Sequence, residues 1–439
     1  MRASLALLAV AVVACSGCRA PGRGSDPLDA VADEYVRLVL AVGRHDPAYV
    51  DAYYGPPEWK EEAARGEPRP VRELLREAGD LRARAESAPA SDRREFLVKQ
   101  LAAVEAFVRR LGGERMSVER EARDLYDIEI PRHGIEEFEA ARRELEAILP
   151  GEGDLAARAQ EFQKRFEIPH ERLRAVVDAC LGEARRRTAA LCELPAGESF
   201  RVALVEDKPW GAYNWYEGGL SSLIEVNTDL PLSLARVFGL LVHEGYPGHH
   251  TMNALLEDRL VRRRGWREFS VYPLYSPTSV IAEGTANVGE EIVATRAERV
   301  AFARDVLAPL AGLEGLDFET MEKARDAWRV LGHARGEAAR MLLDEGAPED
   351  EVVAFLMRHG LLEEPRARKA VEFMRAYGAY EFAYTVGEDL VRAHIGDGPD
   401  RVERFFALLD RPVTPSMLRR SGETEGPAGP ASRPDRRDP

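Results

Sequence analysis

Apolar residues recur at the 3.6-residue period of an amphipathic helix over two long stretches of this chain, and one short segment between them breaks the rhythm. Leu74, Leu75, Ala78 and Leu81 repeat in an early window, and Phe138, Ala141, Leu145 and Ile148 in a later one. Gly55-Pro56-Pro57 and Pro150-Gly151 punctuate the series. Residues 28 to about 191 therefore read as helices in series, and after Pro231 the same period runs to about Leu409. The break lies between Phe200 and Asn227. There Phe200 to Val205 and Leu223 to Asn227 form β-branched-rich runs on either side of an aromatic, Gly-rich loop, Trp210 to Gly219. The pattern predicts a mainly α fold with one small β-hairpin or sheet. With 439 residues, 45% hydrophobic and 31% charged, the chain can bury a large core. An N-terminal helical region, 28–195, and a second region, 196–420, are expected to close around one cleft. The tail 421–439 carries almost no apolar side chains and is expected to be disordered.

The first residues point out of the cytoplasm. Arg2 precedes an apolar run, Leu5 to Ala14, of signal-peptide length and too short for a stable membrane span. Val12-Val13-Ala14-Cys15 fits a lipobox, in which the cysteine is lipidated and becomes the new N-terminus; Cys18, after Ser16-Gly17, is the second choice. Residues 1–15 are thus expected to be a signal peptide and 16–27 a flexible tether. The mature protein is expected in the cell envelope, held to the membrane by a lipid. A formal net charge of −15 and a pI near 5.3 disfavour nucleic acid as a partner, because phosphate binding needs clustered Lys and Arg. Cys180 and Cys192 lie in what reads as one continuous helical stretch, Leu173 to Leu191, and the twelve residues of helix between them rise roughly 18 Å. That exceeds disulfide reach, so two free thiols are expected.

Of nine histidines, His243, His249 and His250 fall within eight residues, directly after the apolar run Val237 to Val242. In an HExxH helix two histidines one turn apart share a zinc ion, and the glutamate beside the first activates water. Here His243 and Glu244 match the start, but Pro247 occupies the place of the second histidine. Proline lacks an N–H and disfavours helix at Tyr246, so the backbone must break or bulge there, and Gly248 is free to take unusual dihedrals. If Pro247-Gly248 is a two-residue insertion, His249 takes the second ligand place. His250 is then the reserve ligand, or a hydrogen-bonding neighbour of one. On an unbroken helix His250 would stand about two turns from His243, too far for one zinc at bonds of roughly 2.1 Å.

His243-Glu244-Gly245-Tyr246-Pro247-Gly248-His249-His250 resembles the HExxPGHH signature of the DUF885 family, bacterial proteins commonly exported as lipoproteins and similar to helical HExxH zinc metallopeptidases. Glu283 to Glu290 is similar to that family's EGWALYAE pattern at Glu283, Gly284, Ala286 and Glu290, and departs from it at Thr285, Asn287, Val288 and Gly289. Ala383-Tyr384-Thr385-Val386-Gly387 is similar to its SYxxG segment. The matches lie in the C-terminal half; the N-terminal half is shorter than is usual in the family. The resemblance implies a large helical metallopeptidase-like fold with Glu283 as a metal ligand.

A catalytic zinc takes three protein ligands and keeps a fourth position open. His243, His249 and Glu283 make that set for one Zn²⁺ per chain. Glu283, Asn287 and Glu290 share a helix face, on a helix whose cap is expected at Thr278 or Ser279, and Glu290 is expected to orient a ligand histidine. Glu244 is the expected general base. Tyr384 is the expected donor to the developing oxyanion, chosen from an aromatic stretch that also holds Tyr377 and Tyr380. Tyr213 and Tyr216, with Asn227 on the next strand, are candidates to line the cleft and hold a peptide substrate. The leading expectation is a zinc-dependent peptidase. Its rivals are a non-catalytic envelope lipoprotein that binds zinc or peptides, and a metal amidohydrolase acting on cell-wall peptides.

Overall fold

In a computed structural model, which describes residues 26–208 and 210–424 with side chains through Arg420, the apolar periodicity resolves into helices whose ends are set by local caps. Asp26 accepts from Leu28 N to start Pro27–Val42, Ser91 from Arg94 N to start Asp92–Leu111, and Asp154 from Ala157 N to start Leu155–Lys164. The fold is mainly α with two small sheets. Leu28, Val31, Tyr35, Leu97, Leu101 and Phe107 pack in one core cluster with Val280, Ala338, Val371 and Ala383 from far along the sequence. A second cluster joins Phe138, Val177 and Leu181 to Ile224, Leu241 and Val242, so the apolar run before His243 is pinned from one side.

Strands β2 (Ser199–Val205), β3 (Ala212–Gly218) and β4 (Ser221–Asn227) form a sheet in the order β2-β4-β3, with β2 parallel and β3 antiparallel to β4. Two of these match the β-branched runs. The third corrects the expectation of a loop at Trp210 to Gly219. Its residues alternate, Asn214 and Tyr216 buried and Trp215 exposed, as aromatic-rich strands do. The connection shrinks to a tight turn in which Gly218, Gly219 and Leu220 all have positive φ.

A second correction falls in the N-terminal half, read as helical throughout. Val50–Tyr53 is a strand, β1, paired antiparallel with β5 (Val271–Pro273), and its register slips between Val50 and Ala52. Four residues are too few to show a period of two. The third correction is the start of the Pro277–Val293 helix. The backbone enters through extended Ser276, with Pro277 in the first turn, whereas Thr278 accepts from Gln100 Nε2 (2.7 Å) and Ser279 bonds the Leu274 carbonyl.

Cys180 and Cys192 are free. Among the described residues no helix is long and apolar enough to cross a membrane. The signal peptide, the lipobox cysteines Cys15 and Cys18 and the tether to residue 25 lie outside the described residues, as does the tail beyond 424; residues 421–424 end the last helix, Pro415–Thr424.

Candidate metal centre

The apolar helix Val237–Glu244 stops at Gly245, and a new helix, His249–Leu256, begins four residues on. The interruption is therefore a break between two helices rather than a bulge within one. Pro247 cannot donate, but Gly248 N reaches back to Val242 O (3.1 Å) and Thr251 N to Gly245 O (3.2 Å), so the hydrogen-bond ladder crosses the gap. Gly248 keeps a negative φ of −74°. Its role is room: a Cβ there would stand 1.8 Å from the His243 carbonyl oxygen. This close approach folds His249 back toward His243.

The third element is the helix Pro277–Val293, which crosses the helix Glu381–Ile395 at two glycines. A Cβ on Gly284 would meet the Gly387 carbonyl oxygen at 2.3 Å, and one on Gly387 would meet the Val280 carbonyl oxygen at 2.5 Å. The glycines of the second and third motifs thus let two backbones touch, which puts Glu283, Tyr380 and Tyr384 around one space.

Three lone-pair donors converge there. His243 Nε2 lies 3.1 Å from His249 Nε2 and 3.2 Å from Glu283 Oε2, and His249 Nε2 lies 3.7 Å from Glu283 Oε1. Donors bound to one zinc at about 2.1 Å stand about 3.4 Å apart in a tetrahedron, so the observed separations bracket that edge. Glu283 is 4% exposed, and its Oε2 is buried with no hydrogen-bond partner among the described residues. Its Oε1 accepts from Tyr380 Oη (2.7 Å). Burial pushes the Glu283 carboxyl up, but His249, His243 and Tyr380 together hold it below its ordinary range.

His243 Nδ1 stands 3.0 Å from Asn287 Oδ1, and Asn287 Nδ2 donates to the Tyr384 carbonyl (3.1 Å). That second bond orients the amide so that it accepts from the imidazole, which leaves Nε2 as the free lone pair. Burial alone would lower His243, yet the Glu283 and Glu244 carboxylates and Asn287 raise it to about 9, whereas burial takes His249 down to about 4. Without a metal the His243 imidazole thus holds a proton beside Glu283, and a divalent cation at these donors would have to displace it.

Around the donors lies a cavity open to solvent. Glu244 lines it, 5% exposed, with its carboxyl lifted to about 7 by burial and by the charges of Glu283 and Asp51, His243 acting the other way. Tyr384 lines it as well, its ring edge-on to Tyr380 (5.7 Å), and its hydroxyl has no hydrogen-bond partner among the described residues. Tyr213 lines it and donates to Asp51 of β1. Burial raises the Asp51 carboxyl to about 6.

Four residues picked out in the sequence sit elsewhere. His250 is fully buried between Ser222 Oγ (2.8 Å from Nδ1) and Glu198 Oε2 (2.9 Å from Nε2), so both of its nitrogens are taken. Burial pushes Glu198 up, but His250, Tyr246 and Arg185 bring it down to about 2. Glu290 accepts from Arg325, and the residue that touches His243 is Asn287. The reason is pitch: Asn287 is one turn from Glu283 on the same face, whereas Glu290 is about 10 Å along the axis. Tyr216 faces the other side of β3 and donates to Glu257 (2.6 Å). Asn227 ties down the loop before β3 through the carbonyls of Lys208 and Trp210 (2.9 and 2.7 Å).

Sequence reasoning also left out Asp51 and the contact of Tyr380 with Glu283. Asn214 lies within the segment Tyr213 to Tyr216 that was expected to line the cleft, and Tyr380 in the aromatic stretch before Tyr384. Three lone-pair donors, a buried carboxyl and an unpaired phenol in one cavity form an arrangement that can hold a Lewis-acidic cation beside a proton acceptor and a hydrogen-bond donor.

No family model and no curated protein matches the chain. Among solved structures it is similar to a candidate lipoprotein from Colwellia psychrerythraea, at 16% identity and a TM-score of 0.50, over 80% of this chain and 66% of that one. It is also similar to a candidate lipoprotein of unknown function from Shewanella oneidensis, at 14% identity and a TM-score of 0.41, over 90% of this chain and 82% of that one. A third is an M32 carboxypeptidase from Deinococcus radiodurans R1, at 14% identity and a TM-score of 0.37, over 92% of this chain and 95% of that one. This chain spans just under two thirds of the Colwellia chain, and the likeness speaks for a shared fold alone.

Proposed function

We propose that the protein is a zinc-dependent peptidase of the cell envelope. The observation that carries this reading is the convergence of His243 Nε2, His249 Nε2 and the Glu283 carboxylate at tetrahedral-edge distances, in a cavity that Glu244 shares. Two imidazoles and one carboxylate are a catalytic zinc set. When bound there, zinc supplies a Lewis acid that polarises an amide carbonyl and makes water easier to deprotonate. Glu244 takes the proton of the attacking water on its carboxylate and returns it to the leaving nitrogen. Tyr384 donates its hydroxyl hydrogen to the oxygen that gains charge. Asn287 keeps His243 in the tautomer with Nε2 unprotonated, and Tyr380 holds Glu283 in place. The resemblance to DUF885 proteins, carried by the three short motifs, agrees with this assignment.

Metal analysis of the purified chain tests it. About one zinc per chain is expected, lost from His249→Ala and Glu283→Ala but retained by His250→Ala, and peptide hydrolysis should stop on chelation and return with zinc. Hydrolysis that survives complete metal removal would sink the reading.

The lipobox at Val12 to Cys15 supports attachment to the membrane by a lipid on Cys15, or on Cys18 in its stead. Mass spectrometry of the mature N-terminus should find a lipidated cysteine; a mature chain beginning at any other residue would end that part of the proposal.

A further inference from the structure

The cavity beside the donor cluster is anionic and aromatic, and among the described residues no Lys or Arg lines it. Arg335, whose guanidinium carbon stands 5.9 Å from the Phe373 ring centre, is committed to Glu381. Asp51 sits at the slip in register between β1 and β5, the kind of irregularity that re-aims a side chain out of the ladder, and it lines the cavity. Tyr213 bonds one of its carboxylate oxygens; the other has no hydrogen-bond partner among the described residues. Asp51 lies outside the His243, His249 and Glu283 donor group, so the metal reading leaves it without a task.

Asn214, 7% exposed, lines the same cavity. Its Nδ2 is used on the Glu244 carbonyl (2.8 Å), which fixes the amide, and its Oδ1 is buried with no partner. An unmet acceptor in a buried place asks for a donor. Nearby, Trp210 and Tyr213 pack with ring centres 5.1 Å apart and present aromatic surface to the cavity. A free carboxylate oxygen, an unmet amide oxygen and aromatic faces together are the chemistry that binds a cationic nitrogen.

We propose that Asp51 and Asn214 bind a positively charged nitrogen of the substrate, so that the site selects peptides by a cationic group. The inference rests on the peptidase reading for what it calls substrate. The same chemistry is offered by a peptide's free α-ammonium and by a Lys or Arg side chain.

The experiment measures binding rather than turnover, so that the two proposals can fail separately. Zinc-loaded full-length Glu244→Gln protein is titrated by calorimetry with four alanine peptides. One has a free amino end and an amidated carboxyl end; one is blocked at both ends; one is blocked at both ends and carries a single Lys; one is N-acetylated with a free carboxylate. The free-amino peptide or the Lys peptide should bind about 10- to 100-fold more tightly than the doubly blocked one, and which of the two does so names the source of the charge. Adding Asp51→Asn should abolish that preference and leave the doubly blocked peptide within about twofold. Asp51→Ser, smaller and likewise uncharged, should abolish the preference too, which serves as the second variant if Asp51→Asn folds poorly. Equal binding of all four peptides, or tightest binding of the free carboxylate, would overturn the proposal. A preserved cationic preference in a wild-type protein that cleaves none of these peptides would leave it standing and remove the peptidase reading instead.

Discussion

Glu244→Gln is expected to lower peptide hydrolysis by roughly 10³-fold while zinc content and fold stay as in the wild type. The side chain is outside the donor group, so its charge is not needed to hold the metal. It is nearly the same size as glutamine, so the packing around a residue that is 5% exposed is kept. Replacing it also removes a buried carboxyl that burial has already raised to about 7, which is a cost to the folded protein and not a support. What disappears is the ability to accept a proton near neutral pH. The ionised form is the base, so wild-type kcat/KM should fall as the pH drops through the Glu244 pKa. Activity measured on a peptide mixture, beside metal content from the same preparation, decides the matter: hydrolysis within about tenfold of wild type would mean that another group takes the proton.

Gly248→Ala is expected to destabilise the protein by about 3 kcal/mol and to lose the metal. The added methyl would stand 1.8 Å from the His243 carbonyl oxygen and 2.5 Å from that of Val242, both backbone atoms of the helix that carries the first imidazole. Backbone cannot swing aside as a long side chain can, so the two helices must part, and His249 is the next residue. Gly182→Ala is the control. That glycine lies within the His170–Leu191 helix with nothing within 4 Å of an added Cβ, so alanine there should stabilise by about 0.5–1 kcal/mol through backbone entropy. Urea unfolding and zinc content of the two variants give the comparison. A Gly248→Ala protein as stable and as metal-rich as the Gly182→Ala protein would show that the helix break does not set the site.

Local rules made much of this protein legible. The helical period and the β-branched runs at Phe200 and Leu223 depend on neighbours in sequence, and they mark elements before any packing is known. The same holds for the pair His243 and Glu244, the break at Pro247, and the glycines of the motifs. Local rules also put His249 ahead of His250 as the second imidazole, on the reading of Pro247-Gly248 as an insertion. The turn supplies the physical reason: Gly248 packs on the end of the preceding helix and sends His249 inward, while His250 is drawn to Ser222 of β4 and to Glu198 just before β2.

The remaining site residues were settled by contacts across long separations. Asp51 reaches the cavity from a four-residue strand paired with β5, whose partners are more than 200 positions away. Asn287, and not Glu290, meets His243 because the Pro277–Val293 helix is held at one height and angle by the touching glycines Gly284 and Gly387. Tyr216 and Tyr213 are three residues apart, yet they face opposite sides of β3, a distinction invisible while the segment read as a loop. A sequence states which chemistries are present and which elements carry them; which side chains share one space depends on helix crossings and strand registers fixed only when the whole core packs.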